Sequence, residues 1–506
     1  MITILAMIRH PICVILASVA TVGSTPAQTT GACPGQQVES ILRRAESLQL
    51  SPGFAVAVVC GDSITYVKGF GTADLATGRR VTGDTPFYIA STSKALTALA
   101  IARLASEDKL NLDAPLSRYL PSLRLKPPLS ADSITLRSML SMTWGVADGP
   151  VDFRMSYTGE GSRAELLKLL ETHGARETGH AFAYSNLPYQ VLGLMLEEKF
   201  ARSWKDIVAE TVLEPIGMGN TTARRAPGDT GVIAMPYQPA PDRFRRIHLG
   251  KEDDNLHPAG GHFSSARDLA RLLVVELNDG SIAGRQVEPA AAIRETQRRQ
   301  STQDRMASVI HRHAWGLGWD IGTLYGDTIL HRPGAFAGYG SHLSFMPRRR
   351  IGVVILANGG GMSSVLVDLL LGAIYDPALG SAAGAARLDS MMTTATTQAG
   401  QERQRVAADL VRRATRQQPL PHSLESYAGT YANAERGHVV WSVEGDKLVV
   451  RMGAALGDVE VYDAAANRFR VEIAGSGTVA GFRFAAGAER AAVVSMMGTE
   501  FVRVGP

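Results

Sequence analysis

Thr85-Pro86-Phe87-Tyr88-Ile89-Ala90-Ser91-Thr92-Ser93-Lys94-Ala95-Leu96-Thr97-Ala98-Leu99-Ala100-Ile101-Ala102-Arg103-Leu104 joins an extended apolar segment, ending at Ala90, to a run of strong helix formers. Ser91 lies at the junction, where serine is a favoured helix cap. Lys94 follows three residues later, which on a helix sets both side chains on one face, one turn apart. A serine hydroxyl is a poor nucleophile until a base takes its proton. A lysine buried against an apolar helix loses part of its preference for the charged form and can act as that base. The amides at a helix N-terminus suit a developing oxyanion. The same spacing also describes an ordinary cap followed by a surface lysine, so the rest of the chain has to decide.

Two further stretches bear on it. Tyr184-Ser185-Asn186 precedes a strongly apolar helix that begins near Pro188. A tyrosine there can hold or pass the serine proton, and the Asn186 amide can bond both a substrate carbonyl and Lys94. The pattern is weak alone, since Tyr431-Ala432-Asn433 repeats it with no nucleophile nearby in sequence. Leu330-His331-Arg332-Pro333-Gly334-Ala335-Phe336-Ala337-Gly338-Tyr339 reads as a strand end followed by a glycine-bearing turn. A backbone amide from it completes an oxyanion hole with that of Ser91. His331 can bond the tyrosine hydroxyl or a substrate oxygen, or be a satisfied histidine at a strand end.

Together, and in this order, the motifs resemble those of the class C β-lactamase and penicillin-binding-protein type of serine hydrolase. Ser91-Thr92-Ser93-Lys94 matches its S-x-x-K motif, Tyr184-Ser185-Asn186 its Y-x-N, and His331 stands where esterase-like members carry H-x-G in place of K-T-G. Asp84-Thr85-Pro86-Phe87, Thr143-Trp144-Gly145 and Glu214-Pro215-Ile216-Gly217-Met218 agree, and the similarity covers about residues 36–376. The resemblance implies an α/β (α+β) fold, with an antiparallel sheet flanked by helices plus an all-helical lobe. It also implies two-step acyl transfer with no metal or organic cofactor. Ser91 attacks an ester or amide, and Lys94 and Tyr184 share its proton. Asn186, His331 and an amide of Gly334 or Ala335 meet the substrate, because Pro333 has no N–H. Met142 departs from the histidine common in the family. His331 exchanges a constant positive charge for one that titrates near neutrality. That ranks an esterase or D-amino-acid peptidase above an efficient β-lactamase. The alternative is a non-hydrolysing penicillin-binding or scaffold protein of the same fold.

Beyond residue 376 the composition changes. Residues 377–420 read as a linker containing a charged helix with Arg403, Arg405, Arg412 and Arg413. Residues 421–506 alternate in short runs, as in a small all-β, barrel-like domain, and resemble a lipocalin-like appendage. At the other end, Arg9-His10, an apolar run from Pro11 to Val22 and Ser24-Thr25-Pro26-Ala27 read as a signal peptide over 1–27. The apolar run is too short to span a bilayer, so a periplasmic or secreted protein without a stable membrane anchor is expected. Cys13 leaves with the signal, and Cys33 and Cys60 either pair or remain free thiols. No H-E-x-x-H or C-x-x-C motif suggests a metal. A length of 506 residues, 45% hydrophobic and 20% charged, describes a globular chain of more than one domain. A net charge of +4 over that length makes no case for nucleic acid, leaving a small-molecule or peptide substrate as the expected partner and the oligomeric state open.

Overall fold

The structure is a computed structural model that describes residues 33–225, 231–416, 419–473 and 476–505. The expected signal segment and Cys13 lie outside them. Gly53–Cys60 is buried along nearly its whole length, and a period of two sorts its side chains. Phe54, Val56 and Val58 pack into one core, and Ala55, Ala57 and Val59 into another. A strand with two buried faces needs a neighbour on each edge and a layer on each side. Ile351–Ala357 and Ser63–Asp74 supply the edges. The full antiparallel sheet runs, edge to edge, through Ser301–Ala307, Ile310–Trp315, Asp320–Leu324, Asp327–Phe336, Tyr339–Met346, Ile351–Ala357, Gly53–Cys60, Ser63–Asp74 and Arg79–Arg80.

Ser93–Ser106 is apolar almost all round, and every residue from Ser93 to Ala102 is buried, as a helix wrapped by core on all sides must be. With Ala266–Leu277 it covers one face of the sheet, and the lobe containing Leu136–Leu140, Arg163–Leu170 and Leu187–Phe200 continues the same core. Gly35–Ser47 and Met362–Ile374 cover the other face. Cys33 and Cys60 are disulfide-bonded, tying the segment before Gly35–Ser47 to the end of the central strand. Among the described residues no helix is long and apolar enough to cross a membrane.

The stretch read as a linker is in large part a single helix, Ala382–Ala414. Its first half is a structural layer: Leu388, Met392, Ala395 and Ala399, at steps of four, three and four, are buried in the second core. Its second half exposes Leu410 and Val411 and spans the distance to the C-terminal domain. There, eight strands from Gly429–Asn433 to Thr499–Arg503 form a closed barrel, which leaves no unpaired edge. Tyr427, Tyr431, Trp441, Phe469 and Phe482 fill it. Tyr431, of the repeated Y-x-N pattern, donates from its hydroxyl to the Tyr427 carbonyl at 2.8 Å and is a core residue. The barrel docks on the helical lobe. Phe153 enters the barrel's apolar cluster, and Arg154 donates to the carbonyls of Glu435 and Ala434 at 2.7 and 2.6 Å.

The two halves of Ala382–Ala414 are therefore expected to differ. Met392→Ala removes a buried side chain and lowers stability by about 2–5 kcal/mol, whereas Val411→Ser stays within about 0.5 kcal/mol of the parent. Differential scanning calorimetry of the full chain checks this; equal, silent responses would make the whole helix a tether.

Candidate active site

Phe87–Tyr88 runs as a short strand into a 3₁₀ turn, Ala90–Thr92, and only then into the Ser93–Ser106 helix. Ser91 is thus not the helix cap that its position in sequence suggests. The chain turns at Ala90, whose φ of +44° is costly for a residue with a Cβ. Several bonds hold the turn in place. Ile89 N–H donates to the His262 carbonyl at 3.0 Å, and Thr92 N–H donates to the Ile89 carbonyl at 3.1 Å. Ser341 Oγ donates to that same carbonyl at 2.7 Å, and Thr92 Oγ1 donates to the Arg332 carbonyl at 3.1 Å. Freed from capping, the Ser91 hydroxyl faces two partners. Tyr184 donates to Ser91 Oγ at 2.7 Å, and Lys94 Nζ donates to it at 3.3 Å.

Lys94 is fully buried. Its other two protons go to Asn186 Oδ1 at 2.7 Å and the Ala259 carbonyl at 2.8 Å. Burial holds its pKa below that of an exposed lysine, against the opposing pull of Tyr184. Burial alone would push the Tyr184 phenol up; the Lys94 and Arg332 cations outweigh it, and the net direction is down. Tyr184 precedes the Leu187–Phe200 helix. Its loop is fixed by Ala183 N–H donating to the Met142 carbonyl at 3.1 Å, so Met142, in place of the family's histidine, acts here through its backbone. Trp315 packs edge-on to the Tyr184 ring at 5.9 Å, its indole N–H anchored on the Leu140 carbonyl at 2.9 Å.

The Asp327–Phe336 strand lies directly against the nucleophile turn. A Cβ on Gly334 would stand 2.1 Å from the Ile89 carbonyl oxygen and 3.0 Å from Thr92 N, so only glycine permits this approach. Ser91, Tyr184, Gly334 and Ala335 line one cleft of about 800 Å³. Strand alternation then corrects the reading of the third motif. The side facing the nucleophile carries Gly334 and, two residues back, Arg332, whose guanidinium lies over the Tyr184 ring at 5.1 Å and the Trp315 ring at 4.9 Å. His331 also borders the cleft, but it is buried and makes no bond to Tyr184. It stacks on His342 at 5.3 Å and accepts from Arg312 Nε at 3.1 Å. Burial, followed by Arg312 and Arg332, holds its pKa well below the ordinary histidine value. It is therefore a neutral acceptor rather than a group titrating near neutrality. The fixed charge it was read as replacing is present one residue later. Arg332, Arg312 and Arg305 surround Asp320 at 3.2, 3.7 and 4.0 Å, leaving an excess of positive charge at this end of the cleft.

An acylatable hydroxyl between a buried amine and a phenol, on this sheet and lobe, defines the class: a serine hydrolase of the β-lactamase and penicillin-binding-protein fold. The Beta-lactamase family model matches residues 41–376, and the chain belongs to that family. It is 24% identical over 332 residues to Protein flp of Staphylococcus aureus (strain MRSA252), covering 64% of this chain and 62% of that protein's length. The octameric penicillin-binding protein homologue from Pyrococcus abyssi superposes with a TM-score of 0.57 at 18% identity, over 92% of this chain and 99% of that one. D-amino acid amidase from Ochrobactrum anthropi SV3 gives 0.56 at 19% identity, over 67% of this chain and 98% of that one. At these identities the structural likenesses speak for fold.

Gly334→Ala tests the close approach. The added methyl meets backbone at 2.1 Å, so the strand or the nucleophile turn must shift by about an ångström. The expected result is a folded protein whose kcat/KM falls roughly 10–100-fold, read with any ester that the parent turns over.

Proposed function

We propose that this chain is an exported serine hydrolase that cleaves an ester or amide through an acyl-enzyme on Ser91. The observation that carries the reading is one hydroxyl held between the Tyr184 phenol at 2.7 Å and the Lys94 amine at 3.3 Å. In its phenolate form, which Lys94 and Arg332 favour, Tyr184 takes the serine proton as Oγ bonds to the carbonyl carbon. The oxyanion forms against the Ser91 amide and that of Gly334 or Ala335. Tyr184 returns the proton to the leaving nitrogen or oxygen as the C–N or C–O bond breaks, and water repeats the sequence to release the acid. Lys94, with three acceptors, serves as the fixed charge of the pair. Asn186 spends its carbonyl on Lys94 and keeps its amide nitrogen for the substrate carbonyl.

The ranking of substrates changes its basis. His331 supplies no reason to demote a carboxylate-bearing substrate, because the arginines around Asp320 favour an anionic group near the scissile bond. Esters and D-amino-acid amides or peptides stay first, supported by the likeness to D-amino acid amidase, with β-lactams an outcome of the same panel. Export rests on the composition of residues 1–27.

Ser91→Ala is expected to abolish labelling by a fluorophosphonate while circular dichroism stays that of the parent; undiminished labelling removes Ser91 from the chemistry. A panel of short-chain nitrophenyl esters, D-amino-acid amides and a chromogenic cephalosporin orders the substrates, and rapid cephalosporin turnover would reverse the ranking. Arg332→Met withdraws a cation that favours the phenolate, so the Tyr184 pKa rises. The acid limb of the kcat/KM profile should then move to higher pH, each unit costing about tenfold in rate below the limb. A limb that stays in place would show that Arg332 does not act on Tyr184.

A further inference from the structure

Behind the hairpin tip that walls the Ser91 cleft lies a second cavity of about 450 Å³. Ala335, Phe336 and Ala337 line both spaces. On the far side the barrel contributes Met452, Ile473, Met496 and Phe501, and the helical lobe contributes Phe153 and Tyr157. These walls are apolar, and their methionines adapt to irregular shapes. One charged side chain lines the cavity, Arg436. Its guanidinium rests over the Phe153 ring at 4.8 Å and has no ion pair or side-chain hydrogen bond with any described residue. The dividing wall is held firmly: the Phe336 ring carries Lys251 Nζ at 4.5 Å and the edge of Tyr88 at 5.3 Å.

We propose that this cavity is a second subsite of the hydrolase, taking an apolar acyl or side-chain portion of the substrate that ends in a carboxylate. The proposal rests on the assignment of Ser91 as nucleophile, since the shared wall makes the cavity the next space a substrate reaches beyond the scissile bond. A chain passing the hairpin tip would bury methylenes against the barrel, each strengthening binding roughly fourfold. It would bring its carboxylate to an arginine otherwise left without an anion, where a charge-assisted bond in a half-enclosed space is strong.

The test uses the full chain and three nitrophenyl esters: acetate, octanoate and the monoester of octanedioic acid, whose acyl chain ends in a carboxylate. The expected result is a kcat/KM at least tenfold higher for the octanedioate monoester than for octanoate. That ratio should collapse in Arg436→Met and persist in Arg436→Lys, which keeps the charge. Thr478 also lines the cavity, and Thr478→Trp, which fills it, should lower the octanoate-to-acetate ratio at least tenfold. A ratio near one in the parent, or one unchanged in Arg436→Met, overturns the proposal. A second arm separates this failure from failure of the nucleophile. In the Ser91→Ala background, calorimetric affinity for octanedioate should drop at least tenfold on adding Arg436→Met, and equal affinities reject the subsite. Ester hydrolysis that survives Ser91→Ala rejects the nucleophile instead, while the binding arm still decides the cavity.

Discussion

A lysine ammonium with no exposed surface is the constraint around which this protein is built. Taking that charge out of water costs several kcal/mol unless acceptors replace the lost solvent. Lys94 receives three, from three separate segments: the nucleophile turn through Ser91, the start of the Leu187–Phe200 helix through Asn186, and the chain before Ala266–Leu277 through Ala259. The charge therefore fixes where the helical lobe stands relative to the sheet. The same charge lowers the pKa of Tyr184. Assembly of the fold and tuning of the proposed base are thus one electrostatic arrangement, and a chain that failed to bury Lys94 would lose both.

The second constraint is contact between the Asp327–Phe336 strand and the Ala90–Thr92 turn. Gly334 sets the distance, and once it faces the turn, period two decides every other side chain on that strand. Arg332 shares the face of Gly334 and lies over Tyr184, whereas His331, which also borders the cleft, turns its imidazole to Arg312 and His342. This was available in the sequence: the H-R-P-G run contains both a histidine and an arginine, and the glycine indicates which one shares its face. Reading His331 by motif position, rather than by strand parity from Gly334, put the charge one residue too early. Trp315 could not have been found in this way, since its place beside Tyr184 depends on the packing of a strand two places away in the sheet.

What was legible elsewhere follows the same division. Strands buried on both faces, such as Gly53–Cys60 and Ile351–Ala357, announce themselves as unbroken apolar runs. The edge strand Ser301–Ala307 does not, because five of its seven residues are polar and none is buried, and its strand character comes from pairing with Ile310–Trp315. In the barrel, Ala455–Asp463 was hidden for the same reason: its outer half carries acidic residues to solvent. Ala382–Ala414 was obscured by small residues. Four of its buried positions are Leu388, Met392, Ala395 and Ala399, and the two alanines among them carry little hydrophobic signal although their spacing is that of a helix face. The Ser91–Lys94–Tyr184–Asn186 set was visible because each member is chemically distinctive, whereas the bend at Ala90 that turns Ser91 out of a capping role is a property of the folded backbone alone.

The barrel's contribution turns on how it is held. It is anchored by Phe153 inserted in its apolar cluster and by Arg154 on two carbonyls of one of its turns. The hairpin tip opposite is held by Lys251 and Tyr88 against Phe336. Two fixed walls set a constant separation between the Ser91 hydroxyl and the space at the barrel's side. For a substrate reaching the proposed subsite, binding energy would not be spent on moving the wall and would serve to hold a scissile carbonyl at the nucleophile, where orientation is converted into rate. A loosely tethered barrel would bind the same groups and contribute nothing to the chemical step. On the proposed subsite, the docking of the two domains would serve the chemical step as well as the structure.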